Sequence, residues 1–162
     1  MENLEGARAA MIWVKTILDQ KNIPFQISGG LAAKIYGSPR PLADIDIEIP
    51  NDRLNDVVPI VSGYIRSGPE HYHSDTWDLL LMTLNYYGQD IDISGTEGRI
   101  FDKDQKAWID LKTDLSKAEQ KEIWGVTVPV TPKEELIEYK KKLARKIDLE
   151  DVDAIEHASN RL

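Results

Sequence analysis

Three aspartates and a pair of glycines carry the chemistry open to this sequence. Asp44 and Asp46 stand two residues apart in Asp-Ile-Asp-Ile-Glu-Ile, residues 44–49, whose strict alternation reads as a β-strand with its isoleucines turned to a core. Residues two apart on a strand share a face, so both carboxylates project together. Ionised carboxylates that close repel unless a cation lies between them. Mg²⁺ suits the arrangement, being a hard ion that takes oxygen ligands and commonly shares its shell with phosphates. Glu48 lies on the same face, one step farther from the first pair. A second acidic strand, Gln89-Asp90-Ile91-Asp92-Ile93, repeats the pattern. Paired beside residues 44–49, it completes a three-carboxylate cluster through Asp92 or Asp90. Asp92 is preferred because Ile91 and Ile93 anchor it in the sheet, whereas Asp90 stands nearer a turn.

Gly29-Gly30 supplies the complementary half. Without Cβ atoms, these residues let the backbone approach a phosphate closely. A helix beginning at Leu31 points its unpaired N–H groups and positive dipole end at the same place, and Ser28 adds a hydroxyl donor. An anion cradle and a cation clamp together describe a nucleoside triphosphate with its metal.

The elements that must position these groups follow from periodicity. Leu4, Ala7, Met11, Val14 and Leu18 recur at helical steps, predicting an amphipathic helix over 3–21. Pro24 breaks it, Phe25 to Ser28 is a short strand, and a helix runs from Leu31 to about Tyr36 before Gly37, Pro39 and Pro41 stop it. Asn51 caps a helix over roughly 52–62. Trp77–Tyr86 and Gln89–Ser94 form two strands joined near Gly88, the first apolar enough to be buried on both faces. Residues 95–122 are polar and mixed and yield no element. Trp124–Val130 is a strand, Thr131 an N-cap with Pro132 in the first turn, and two helices over about 132–146 and 149–160 close the chain. The expected fold is α/β (α+β), a core over residues 1–130 with a helical segment, 131–162, packed on it.

The 162 residues fit one compact domain, 41% hydrophobic and 30% charged. There is no cysteine, hence no disulfide framework or thiolate metal site. No apolar run reaches membrane length, and the N-terminus lacks a basic start and a small-residue cleavage site, so a cytoplasmic location is expected. A formal charge of −8 argues against a long nucleic acid as substrate. In the one dense basic cluster, Lys140, Lys141, Lys142, Arg145 and Lys146, the run of three lysines reads first as a solvated helix face. His71 and His73 read as exposed loop or edge-strand residues, and Trp77, Tyr86 and Tyr87 as fillers of core and surface gaps.

Gly29-Gly30, thirteen residues, then Asp44-Ile45-Asp46-Ile47 resembles the signature of the nucleotidyltransferase superfamily, with Asp92 as its third carboxylate on a later strand. Small bacterial and archaeal members, antibiotic adenylyltransferases and toxin–antitoxin relatives share it. Arg40 matches a feature of the small bacterial members, and Pro132, Leu136-Ile137, Lys140, Arg145 and Asp148-x-x-Asp151 resemble the helical segment that follows their core. The chain departs from many relatives at Leu42, where they carry Thr, and at Ile147, where they carry Lys. The resemblance implies a mixed sheet flanked by helices and in-line transfer of a nucleoside monophosphate, AMP foremost, from ATP or another nucleoside triphosphate to a hydroxyl on a small molecule, a protein or an RNA end. It implies two Mg²⁺ ions roughly 3.5–4 Å apart on Asp44 and Asp46, with Asp92 sharing a metal or acting as general base. Ser28, Gly29, Gly30, Arg40 and Lys140 would bind the phosphates. The same fold also serves partner-binding modules of toxin–antitoxin systems, whose partner is a small helical protein, and nucleotide sensors without turnover.

Overall fold

The alternation of residues 44–49 is realised without exception: Ile45, Ile47 and Ile49 are fully buried while Asp44, Asp46 and Glu48 are half-buried on the other face. This strand lies near the middle of the computed structural model, which describes residues 3–159. Residues 160–162, the end of the expected C-terminal segment, lie outside the described residues.

Helix α1 (Leu4–Gln20) starts where Asn3 accepts a hydrogen bond from the Gly6 amide, and buries Ala7, Ala10, Met11, Val14, Ile17 and Leu18 along one stripe. Strand β1 (Gln26–Ser28) runs directly into α2 (Gly29–Ile35), followed by β2 (Asp44–Ile49). A 3₁₀ turn at Asn51–Arg53 leads into α3 (Leu54–Val61), and a second at Ser62–Tyr64 into β3 (Ile65–His73). Strands β4 (Trp77–Tyr86), β5 (Gln89–Asp102), β6 (Ala107–Lys112), β7 (Glu119–Ile123) and β8 (Val126–Val130) precede helices α4 (Lys133–Leu143) and α5 (Lys146–Ser159).

The eight strands form one mixed sheet in the order β3-β4-β5-β2-β1-β8-β7, with β6 paired to β5. Strands β2 and β5 are parallel, as are β1 and β8; the remaining pairs are antiparallel. The face carrying Ile27, Ile45, Ile47, Met82, Leu84, Ile91 and Ile93 packs into one apolar core with α1, α2 and α3. The opposite face carries the acidic residues.

Several elements differ from expectation for identifiable reasons. Strand β5 does not end at Ser94 but continues to Asp102, exchanging β2 for β6 as its neighbour after Gly95. Asn51 holds that exchange: its Nδ2 donates to the Glu97 carbonyl and its Oδ1 accepts from the Glu97 amide, both at 3.1 Å. Its side chain is thereby taken from the capping role, and α3 begins three residues later, at Leu54. Thr131 is likewise not an N-cap. Its hydroxyl donates to the Ile27 carbonyl at 3.0 Å, and Pro132 stands at the cap position of α4. Strand β4 is not buried on both faces: Trp77, Leu79, Leu81 and Thr83 face a cleft, while Asp78, Met82 and Leu84 are covered. No helix of the described residues is long and apolar enough to cross a membrane.

Candidate active site

Parallel pairing of β2 with β5 sets Asp44 opposite Asp90 and Asp46 opposite Asp92. The pleat turns all four to the same side. Of the two acidic residues on β5, Asp92 joins the cluster: one carboxylate oxygen from each of Asp44, Asp46 and Asp92 lies within 4.8 Å of the others. Asp90 is exposed and accepts a hydrogen bond from Asn85 Nδ2 at 2.7 Å at the hairpin end. Among the described residues this is the one group of three carboxylate, histidine or cysteine side chains close enough to hold a metal ion.

Electrostatics record the crowding. Burial, then the charges of Asp44 and Asp92, push the Asp46 carboxyl up to about 8, against the pull of Lys140 and a hydrogen bond from the Gly30 amide. Burial and the Asp44 charge raise Asp92 to about 6, while a hydrogen bond from Thr83, its partner on β4, pulls the other way. Three mutually repelling oxygen donors make a chemically fitting set for a hard divalent cation.

The Gly29-Gly30 turn sits against the same carboxylates, because Ser28 on β1 pairs with Asp46 on β2. The helix begins at Gly29 itself rather than at Leu31. Gly29 has φ +58°, and a Cβ there would overlap the Asp46 carboxylate. At Gly30 a Cβ would meet only the Arg40 guanidinium, at 3.3 Å. Gly29→Ala is therefore expected to displace Asp46 and to destabilise the fold by roughly 1–3 kcal/mol, and Gly30→Ala to cost less than about 1 kcal/mol. Thermal unfolding, with Mg²⁺ titration by calorimetry, checks both; equal effects would contradict the geometry.

A shell of buried charge surrounds the cluster. Arg40 makes two hydrogen bonds to Asp151, at 3.1 and 2.7 Å, and Ser38 Oγ donates to the same carboxylate at 2.7 Å. Lys140 Nζ lies 3.0 Å from Asp151 and 3.4 Å from Asp148, and Arg145 forks onto Asp148 at 2.6 and 3.0 Å. Burial raises the Asp151 carboxyl, but hydrogen bonds from Arg40, Ser38 and Lys140 outweigh it and hold the group at about 2. Arg145 also stands 4.8 Å over the Trp77 ring, whose Nε1 donates to Tyr139 Oη at 2.9 Å. Three cations thus face two carboxylates beside the acidic triad. The expectation of a solvated lysine face holds for Lys141 but fails for Lys140, whose side chain is 3% exposed.

Triad, glycines and the three cations line one cleft of about 540 Å³, with Ser28, Gly29, Gly30, Arg40, Lys140, Arg145 and Trp77 all on its wall. That volume lies within the range of small-molecule sites. His71 and His73 lie elsewhere. Tyr72 between them faces the cleft, while His71 bonds Asp78 and His73 stacks on Trp108 with ring centroids 5.4 Å apart. Thr83 and Tyr139 escaped sequence reasoning. Thr83 was reachable from the hairpin register through Gly88; no local signal marks Tyr139.

No family model and no curated protein matches the sequence. Solved structures do. A Thermotoga maritima protein assigned to the nucleotidyltransferases aligns over 100% of this chain and 97% of its own, at 21% identity and a TM-score of 0.73. The chain has the nucleotidyltransferase fold: a mixed sheet flanked by helices, with the glycine turn and acidic strands at its centre. Two further similar structures hold an antibiotic or its adenylylated form. A lincosamide antibiotic adenylyltransferase with lincomycin bound shares 13% identity over 91% of this chain and 95% of its own, with a TM-score of 0.62. ANT(2″)-Ia in complex with adenylyl-2″-tobramycin shares 16% over 95% and 94%, with a TM-score of 0.57.

Proposed function

We propose that this protein transfers a nucleoside monophosphate, AMP in the first instance, from a nucleoside triphosphate to a hydroxyl acceptor. The observation that carries this reading is the convergence of Asp44, Asp46 and Asp92, from parallel strands, beside a glycine turn in one cleft. Asp44, Asp46 and Asp92 would hold Mg²⁺, which when bound supplies positive charge against the triphosphate and the developing transition-state charge. In the transfer, the acceptor oxygen bonds to the α-phosphorus, the bond from α-phosphorus to the bridging oxygen breaks, and pyrophosphate leaves. Asp92 shares the metal or takes the hydroxyl proton as general base. Ser28, Gly29 and Gly30 form the wall against which the phosphates lie. Arg40, Lys140 and Arg145, already fixed by Asp148 and Asp151, offset the negative charge gathering on the leaving group. On this reading α4 and α5 form a C-terminal segment that closes the cleft and delivers two of its cations, Lys140 and Arg145.

Incubation of the purified protein with Mg²⁺, each α-³²P-labelled nucleoside triphosphate and a cell lysate tests the proposal. A labelled acceptor, strongest with ATP, is expected. Absence of label with every nucleotide, across protein, RNA and small-molecule fractions, would remove the enzymatic reading.

A further inference from the structure

The acidic face of the sheet carries a second, smaller cavity of about 180 Å³, roofed by α4 and bounded by β6. Its floor is Gln26 and Glu48, the register pair adjoining Ser28 and Asp46. It therefore lies about 7 Å along the strands from Asp46. Ser28, Glu48, Leu111 and Tyr139 line both this cavity and the cleft, so the two adjoin.

Gln26 is 1% exposed. Its Nε2 donates to Glu48 Oε2 at 2.8 Å and to Thr131 Oγ1 at 3.0 Å. No protein group donates to its Oε1, the one buried side-chain nitrogen or oxygen without a hydrogen-bond partner among the described residues. The amide orientation is set by its neighbours. Thr131 spends its proton on the Ile27 carbonyl, and Glu48 accepts a hydrogen bond from Thr113. A turned amide would set Oε1 against these acceptors, so the missing partner is a donor. A buried carbonyl left without one is costly, so a ligand that supplies the donor is favoured.

Charge points the same way. Glu135 and Asp110 also line the cavity, and both its lysines are engaged by carboxylates: Lys142 with Glu138 at 3.5 Å, Lys112 with Glu97 at 3.6 Å. We propose that this cavity is a subsite for a nitrogen-borne hydrogen-bond donor, an amino or ammonium group, on a molecule whose reacting part lies at the carboxylate triad. Gln26 Oε1 accepts from that nitrogen, and the acidic side chains of Glu135 and Asp110 on the cavity wall complement its charge. Two sources share this chemistry: a hydroxyl acceptor bearing an ammonium group, and the exocyclic amine of a nucleobase. The assignment of a reacting part rests on the nucleotidyl-transfer reading; the subsite does not.

NMR of the full chain, labelled with ¹⁵N, separates the cases. Ethanolamine is expected to shift the Gln26 side-chain amide and the Thr113 backbone amide saturably, and ethylene glycol to leave them still. Gln26→Leu should abolish the effect, and Glu135→Gln, on the exposed face of α4, should weaken it about fivefold without touching the fold. If instead Mg²⁺-ATP moves these signals and purine riboside triphosphate, which lacks the amine, does not, the nucleobase is the source and the subsite stands. The proposal is overturned if neither ethanolamine nor ATP perturbs them, or if ethylene glycol does so equally. Shifts of the Gly29 and Gly30 amides with Mg²⁺-ATP report separately on the nucleotide site, so the two readings can fail independently.

Discussion

Asp44→Ala is expected to lower nucleotide transfer by on the order of 10³-fold, while Asp90→Asn stays within about threefold of wild type. The two residues are opposite each other in the β2–β5 register and of the same type, so the contrast isolates where each carboxylate points. Asp44 shares one compact set of oxygens with Asp46 and Asp92. Its loss removes a cation ligand and part of the field on the reacting phosphate, a combined effect of about 4 kcal/mol in the barrier. The Asp90 carboxylate is exposed and occupied by Asn85. EDTA should reproduce the Asp44→Ala loss in wild type, and restored Mg²⁺ should reverse it. Thermal unfolding of both variants guards against misfolding as the cause. Label transfer by Asp44→Ala at the wild-type rate would end the two-strand carboxylate mechanism.

How much of this was visible beforehand depended on whether the signal was local. A period of two is a short-range property, so residues 44–49 and 89–93 declare their strands and the face their aspartates take. That these strands lie side by side and parallel is a long-range fact. The sequence offered the side-by-side pairing only as a condition and nothing on its direction; the parallel register bears out the preference for Asp92 over Asp90. Strands β3, β6 and β7 sit at sheet margins, where much of each strand is exposed; β3 and β7 lack apolar alternation, and in β6 Trp108 blurs that of Ala107, Ile109 and Leu111. The continuation of β5 was hidden by Gly95 and Gly98. Both admit close neighbours, the Asn51 side chain and the β4 backbone, where a Cβ would clash. Lys140 shows the same limit from the other direction. Three consecutive lysines on a helix read as solvated, yet Asp148 and Asp151 on the next helix draw the first of them inside. The pairing is legible only once α4 and α5 are folded against each other.

Asp46→Asn is expected to stabilise the metal-free protein at pH 8 by roughly 1–3 kcal/mol, raising its melting temperature by roughly 3–10 °C, while destroying transfer. The sign follows from the raised acid. In the folded, metal-free state Asp46 holds its proton up to about 8, against an ordinary value of 3.8 in the unfolded chain. Between those limits the folded state binds more protons, so stability falls as pH rises through the window. Asparagine keeps an oxygen to accept from the Gly30 amide and removes the charge that burial, Asp44 and Asp92 oppose. Its advantage should therefore shrink at pH 5, where Asp46 is already neutral. Mg²⁺ should raise the wild-type melting temperature at pH 8 and leave the variant nearly unmoved, because binding to the folded state alone is what shifts the transition. Thermal unfolding of both proteins at pH 5 and pH 8, in EDTA and in Mg²⁺, supplies all four comparisons. A variant less stable than wild type at pH 8, or a difference independent of pH, would mean that Asp46 is not strained by its neighbours. The expected pattern would place the instability of the empty triad on the same atoms that give it affinity for a cation, a site whose function opposes its own folding.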